Sequence, residues 1–60
     1  MKCTRTDEGL RFWNGNELVA MTDEYDVLFT FVYNDDEARA LGNAYSEREA
    51  REILAQNGIS

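Results

Sequence analysis

The sequence predicts an α+β fold: a small antiparallel β-meander of three strands, with a fourth as the alternative, packed by a C-terminal α-helix with a short helical segment before it. Three observations predict it. Val27 to Tyr33 is an uncharged run of seven strand-favouring residues, preceded by Asp26 and followed by Asn34-Asp35. The apolar runs L-R-F-W and E-L-V-A-M-T flank Asn14-Gly15-Asn16, a strong short-range hairpin signal. Ser46-x-x-Glu49 is a capping box opening a helical pattern.

Residues 1–8 are polar and alternate weakly through Cys3, which suits either a short edge strand or a frayed end. In the hairpin, a Gly15-Asn16 turn sets Trp13 against Leu18, Phe12 against Val19 and Leu10 against Met21. That register sorts the side chains into two coherent faces. A three-residue turn with a bulge is the other option. Thr22 to Asp26 forms the next loop. Because it is short, the strand around 17–21 should be central, flanked by 10–13 and 27–33.

Period-two geometry puts Val27, Phe29, Phe31 and Tyr33 on one face of the spine strand and Leu28, Thr30 and Val32 on the other. The first set is expected to meet the helix. Asn34 can cap a short helix whose first turn is Asp35, Asp36 and Glu37, continuing through Ala38–Leu41 to Gly42-Asn43. The competing reading makes 38–45 a fourth strand. After Ser46, the residues Ala50, Ile53, Leu54 and Asn57 share one helical face, and Tyr45 is placed to staple onto Ala50. Glu47 with Arg51, and Arg48 with Glu52, are i, i+4 ion pairs worth a few tenths of a kcal/mol each. Gly58 ends the helix.

Sixty residues form one domain, 1–60, and a chain this short buries only about 60% of its unfolded surface. Cys3 is the one cysteine and there is no histidine, which excludes an internal disulfide and argues against structural zinc. The unpaired thiol and the polar start of the chain point to a reducing, cytoplasmic setting, the host cytoplasm if the chain is phage-encoded. No apolar run approaches the ~20 residues that a membrane span needs.

Catalysis finds no support. General base work near pH 7 has no histidine, and there is no G-x-S-x-G or Gly-rich phosphate loop. Cys3, between Lys2 and Arg5, reads as an ordinary thiol. Neither Asp23-Glu24-x-Asp26 nor Asp35-Asp36-Glu37 has calcium-loop spacing, so no metal is expected. No cofactor is expected either.

Charge is the strongest signal: twelve acidic against six basic residues, a net of −6. Such a surface repels nucleic acid and like-charged membranes and favours basic proteins. In a meander, Asp7 and Glu8 fall at the same end as Asp23, Glu24 and Asp26, whereas Asp35, Asp36 and Glu37 fall at the other, beside Glu17. This acidic rim is the first candidate partner-binding site. Twelve carboxylates match roughly 20 Å of duplex DNA, and the net charge matches half of that, enough to occupy one short basic site. The second candidate is an apolar face of Trp13, Leu18, Leu28 and Val32, left uncovered by a single helix and suited to a partner or a homodimer.

In profile (short, acidic, histidine-free, without an enzyme signature) the chain resembles phage-encoded counter-defence proteins, including anti-CRISPR inhibitors. The likeness covers size and composition over all 60 residues and transfers no functional residue. The expected function is non-enzymatic protein binding: an inhibitor that occupies a basic surface of a nucleic-acid-handling complex, without contacting nucleic acid itself. The alternatives are a homodimeric structural or regulatory protein, and a halophile's small acidic domain whose charge serves solvation.

Overall fold

The computed structural model describes residues 1–33 and 36–59. Among these residues, five antiparallel strands, β1 (Lys2–Thr6), β2 (Gly9–Asn14), β3 (Glu17–Thr22), β4 (Val27–Thr30) and β5 (Arg39–Asn43), precede one helix, α1 (Glu47–Gln56). The strands lie in the sheet in chain order, β1-β2-β3-β4-β5, so β3 is central. The α+β class stands, but the three- or four-stranded count is corrected to five. The polar N-terminus is a full edge strand, pairing Cys3 with Phe12 and Arg5 with Leu10.

The second correction concerns the segment after β4. No short helix forms at 36–43; Arg39–Asn43 is β5, as the competing reading had it. Ala38 to Leu41 favour helix only weakly through propensity, and the open edge of β4 offers a ladder that outweighs it. The proposed cap, Asn34, and Asp35 lie outside the described residues. A bulge between Leu28 and Phe29 lets Leu41 reach the core from this edge strand.

The hairpin turn is Gly15-Asn16, with Asn14 opposite Glu17 and Trp13 opposite Leu18, as the preferred register required. Beyond that pair a bulge admits Val19 as an extra residue. Phe12 therefore faces Ala20 instead of Val19, and Arg11 instead of Leu10 faces Met21. The bulge turns Val19 into the core, where its carbonyl accepts hydrogen bonds from Thr30 Oγ1 (2.9 Å) and Phe31 N–H (2.9 Å).

The spine strand ends at Thr30, short of the expected Tyr33, and its faces are assigned the opposite way round. Leu28 and Thr30 are both 0% exposed beneath the helix, whereas Val27 and Phe29 point to the open side. Register explains the reversal. Leu28 and Thr30 pair with Thr22 and Ala20, and Ala20 in turn faces Phe12, so these residues share the side on which Leu28 and Phe12 join Ala50 and Leu54 of the helix in one core. The two buried threonines are compatible with this core because each hydroxyl has a partner: Thr30 donates to Val19, and Thr22 Oγ1 accepts from Leu10 N–H at 2.8 Å.

Helix α1 begins as expected. Ser46 Oγ accepts from Glu49 N–H at 3.1 Å, and Glu49 Oε1 accepts from Tyr45 N–H at 3.0 Å. Both i, i+4 ion pairs form, Glu47–Arg51 at 2.9 Å and Arg48–Glu52 at 3.2 Å. Tyr45 is 70% exposed, however, so no aromatic staple closes onto Ala50. Asn57 also faces solvent, as the C-cap. Gly58, at φ +75°, ends the helix: Gly58 N–H bonds Ala55 C=O and Ile59 N–H bonds Leu54 C=O. This Schellman closure folds Ile59 back into the core against the last turn.

Candidate interaction surfaces

The connections put the acids at two ends of the sheet. Asp7 and Glu8 form the β1–β2 turn, where Glu8 N–H donates to Thr6 Oγ1 at 3.2 Å. Asp23, Glu24 and Asp26 form the β3–β4 loop at the same end. Glu8, Asp23 and Glu24 line one depression of about 380 Å³ with Met21, Thr22 and Tyr25. No lysine or arginine is among those lining residues. Asp7 and Asp26 are exposed close by but do not line it. At the opposite end, Asp36 and Glu37 are exposed in the β4–β5 connection and Glu17 is exposed at the start of β3. Asp35 lies outside the described residues.

Within the β3–β4 loop the acids have unlike roles. Asp23 Oδ1 accepts from Tyr25 N–H (2.9 Å) and Val27 N–H (3.0 Å), so this half-buried carboxylate builds the turn. Asp26 N–H bonds Asp23 C=O, and Asp26 holds φ 60° while its carbonyl accepts from Ala44 N–H at 2.8 Å. Its backbone thus ties the loop to the end of β5. Glu24 has no such duty in the turn. Tyr25 stands 72% exposed beside it, its backbone held by Asp23 Oδ1 and, at the carbonyl, by Asn43 Nδ2 at 3.3 Å.

The apolar candidates separate. Trp13 and Leu18 are neighbours across the β2–β3 ladder on the face away from the helix, both half-buried. Leu28 belongs to the core and cannot contribute to any free surface, which corrects its assignment there. Val32 is 47% exposed but lies beyond the end of β4, off the sheet. The sequence reading missed Met21, Val27 and Phe29. These continue the open face across β3 and β4, with Met21 opposite Phe29 and Phe29 opposite Ala40. The signal is the alternation of Val27 and Phe29, but the sequence-based expectation sets that side against the helix.

Cys3 sits half-buried on the helix side of the sheet. Burial pushes its thiol pKa up, and the Glu47 carboxylate, close enough to hydrogen-bond the sulfur, pushes it further. A thiol in that state is a poor nucleophile at neutral pH. Glu47 is itself held below the usual carboxylate range, first by its hydrogen bond from Arg51. Among the described residues, no group of three or more His, Cys, Asp or Glu is arranged to hold a metal ion, and no helix is long and apolar enough to cross a membrane.

Comparison with protein-family models, curated proteins and solved structures returns no significant match.

Proposed function

We propose that the chain is a protein-binding module with no reaction of its own, gripping a basic protein surface through the end of the sheet formed by Glu8, Asp23, Glu24 and Tyr25. The observation that carries this reading is the depression shared by those four residues, with three carboxylates, an exposed tyrosine and no cation in its lining. An arginine suits it best. Its guanidinium binds carboxylates through paired hydrogen bonds and stacks on an aromatic ring, which an ammonium does less well. The net charge of −6 adds long-range attraction for basic partners. Basic surfaces that handle nucleic acid are the partners such an end fits, and inhibition by occupying one is the role consistent with the counter-defence profile.

A nona-arginine peptide titrated into the protein by calorimetry tests this, because two double variants remove the same charge from opposite ends. Glu8→Gln with Glu24→Gln should weaken binding about tenfold, while Glu17→Gln with Glu37→Gln should change it less than about twofold. Asp23→Asn keeps the turn acceptor and serves as a third neutralisation, whereas Asp23→Lys would break the turn and is unsuitable. Equal losses from the two double variants would show only diffuse attraction to an acidic molecule and would sink the proposal.

A further inference from the structure

We propose that Asn14 is a site of spontaneous covalent modification. The backbone nitrogen of Gly15 displaces its side-chain amide, leaving an aspartate or isoaspartate at the tip of the β2–β3 hairpin. Asn-Gly occurs twice in the chain, at Asn14-Gly15 and at Asn57-Gly58. Glycine after asparagine favours this reaction, because no Cβ crowds the attacking nitrogen and the backbone can swing into the geometry that ring closure needs. The two pairs are chemically alike, so their surroundings decide which one reacts.

At Asn57 the structure holds every group that would have to move. Its Nδ2 donates to Ile53 C=O at 2.8 Å, and its own N–H bonds Ile53 C=O and Leu54 C=O. The attacking atom, Gly58 N, donates its proton to Ala55 C=O at 3.0 Å, and the next residue, Ile59, is buried in the core. Ring closure there requires the helix end to unwind and Ile59 to leave the core.

Asn14 has none of these ties. It is the last residue of β2 and is exposed, as are Gly15 and Asn16 after it. Among the described residues, no hydrogen bond engages its side chain or the Gly15 N–H. Nothing lies within 4 Å of the place where a Gly15 Cβ would stand, so a ring formed there meets no neighbour. Only the terminal rung of the ladder, Asn14 opposite Glu17, has to open. Strand ends open far more readily than core-anchored segments.

The reaction balances with water alone. Gly15 N gives its proton to hydroxide and bonds Asn14 Cγ, the Cγ–Nδ2 bond breaks, and ammonia leaves with a proton from solvent. Water then opens the cyclic imide at either carbonyl. Opening at Cγ returns the main chain as it was, as aspartate. Opening at the backbone carbonyl routes the main chain through the former side chain, as isoaspartate. Either product sets a new carboxylate opposite Glu17, and isoaspartate also displaces the rung, so both loosen the hairpin.

The test incubates the protein at about pH 8.5 and about 37 °C, beside a sample in about 8 M urea. Peptides carrying Asn14 and Asn57 are followed by mass spectrometry for the exchange of –NH2 for –OH, and isoaspartate is counted by enzymatic methylation. Urea should bring the two rates within about threefold of each other, whereas the native protein should modify Asn14 at least about tenfold faster than Asn57. Equal native rates, or an Asn14 that reacts only in urea, overturn the proposal. Asn14 closes β2 at the end away from Glu8. The arginine-peptide comparison, made on fresh protein, therefore stands or falls separately.

Discussion

Leu28→Glu leaves the chain unfolded at 25 °C, with random-coil far-UV circular dichroism in the absence of denaturant. Leu28 is 0% exposed, packed among Phe12, Ala20 and Leu54. The substitution removes a buried leucine side chain, worth about 2–5 kcal/mol, and leaves a carboxylate in the core without a partner, which costs several more. A 60-residue domain has only about 3–9 kcal/mol to lose. Val32→Glu is the matched control. Val32 is 47% exposed beyond the end of β4, and its backbone N–H, bonded to Thr30 Oγ1 at 3.4 Å, is untouched by the change. Its urea midpoint should move by no more than about 0.5 kcal/mol of stability. A folded Leu28→Glu protein would refute the assignment of this residue to the helix-covered side.

Gly9→Ala is the next largest expected loss, about 2–3 kcal/mol by urea titration. Gly9 opens β2 at φ +144°, a conformation that side chains rarely adopt, and an added Cβ would lie 2.5 Å from Thr22 Oγ1 and 2.6 Å from Thr22 O. The hydroxyl cannot simply move away, because it accepts from Leu10 N–H inside the core. Combining Gly9→Ala with Thr22→Ala should recover little, since the backbone oxygen remains in the way and Leu10 N–H loses its acceptor. Full recovery in the double variant would mean that the close approach is between side-chain atoms alone. Gly15, also at positive φ, has nothing within 4 Å of the corresponding position, so any loss there comes from the backbone conformation alone.

The parts of the fold legible in the sequence are those that local chemistry decides. Ser46 and Glu49 cap, Glu47 and Arg48 pair four residues onward, and Gly58 stops the helix, all within one or two turns. The Gly15-Asn16 turn and the Trp13–Leu18 pair are equally local. What was not legible depends on a distant partner. Val19 gives no sign of being a bulge until β2 and β4 are both beside it. Thr22 and Thr30 look like solvent-facing residues until Leu10 N–H and Val19 C=O are found to satisfy their hydroxyls. Residues 39–43 favour helix on their own and become a strand against β4. The same division runs through the candidate surfaces. Grouping Glu8 with Asp23 and Glu24 followed from meander topology, but the turn-building duty of Asp23 did not, nor did the burial of Leu28.

Strand order in this sheet is also chain order, and that has a consequence for how the molecule reaches its native state. Each new strand closes a loop of two to eight residues onto the one just formed, so the search avoids distant chain segments until the helix docks. Refolding in stopped flow should therefore be fast, on the order of milliseconds. A dominant phase lasting seconds would show that some step other than this succession of short closures sets the pace.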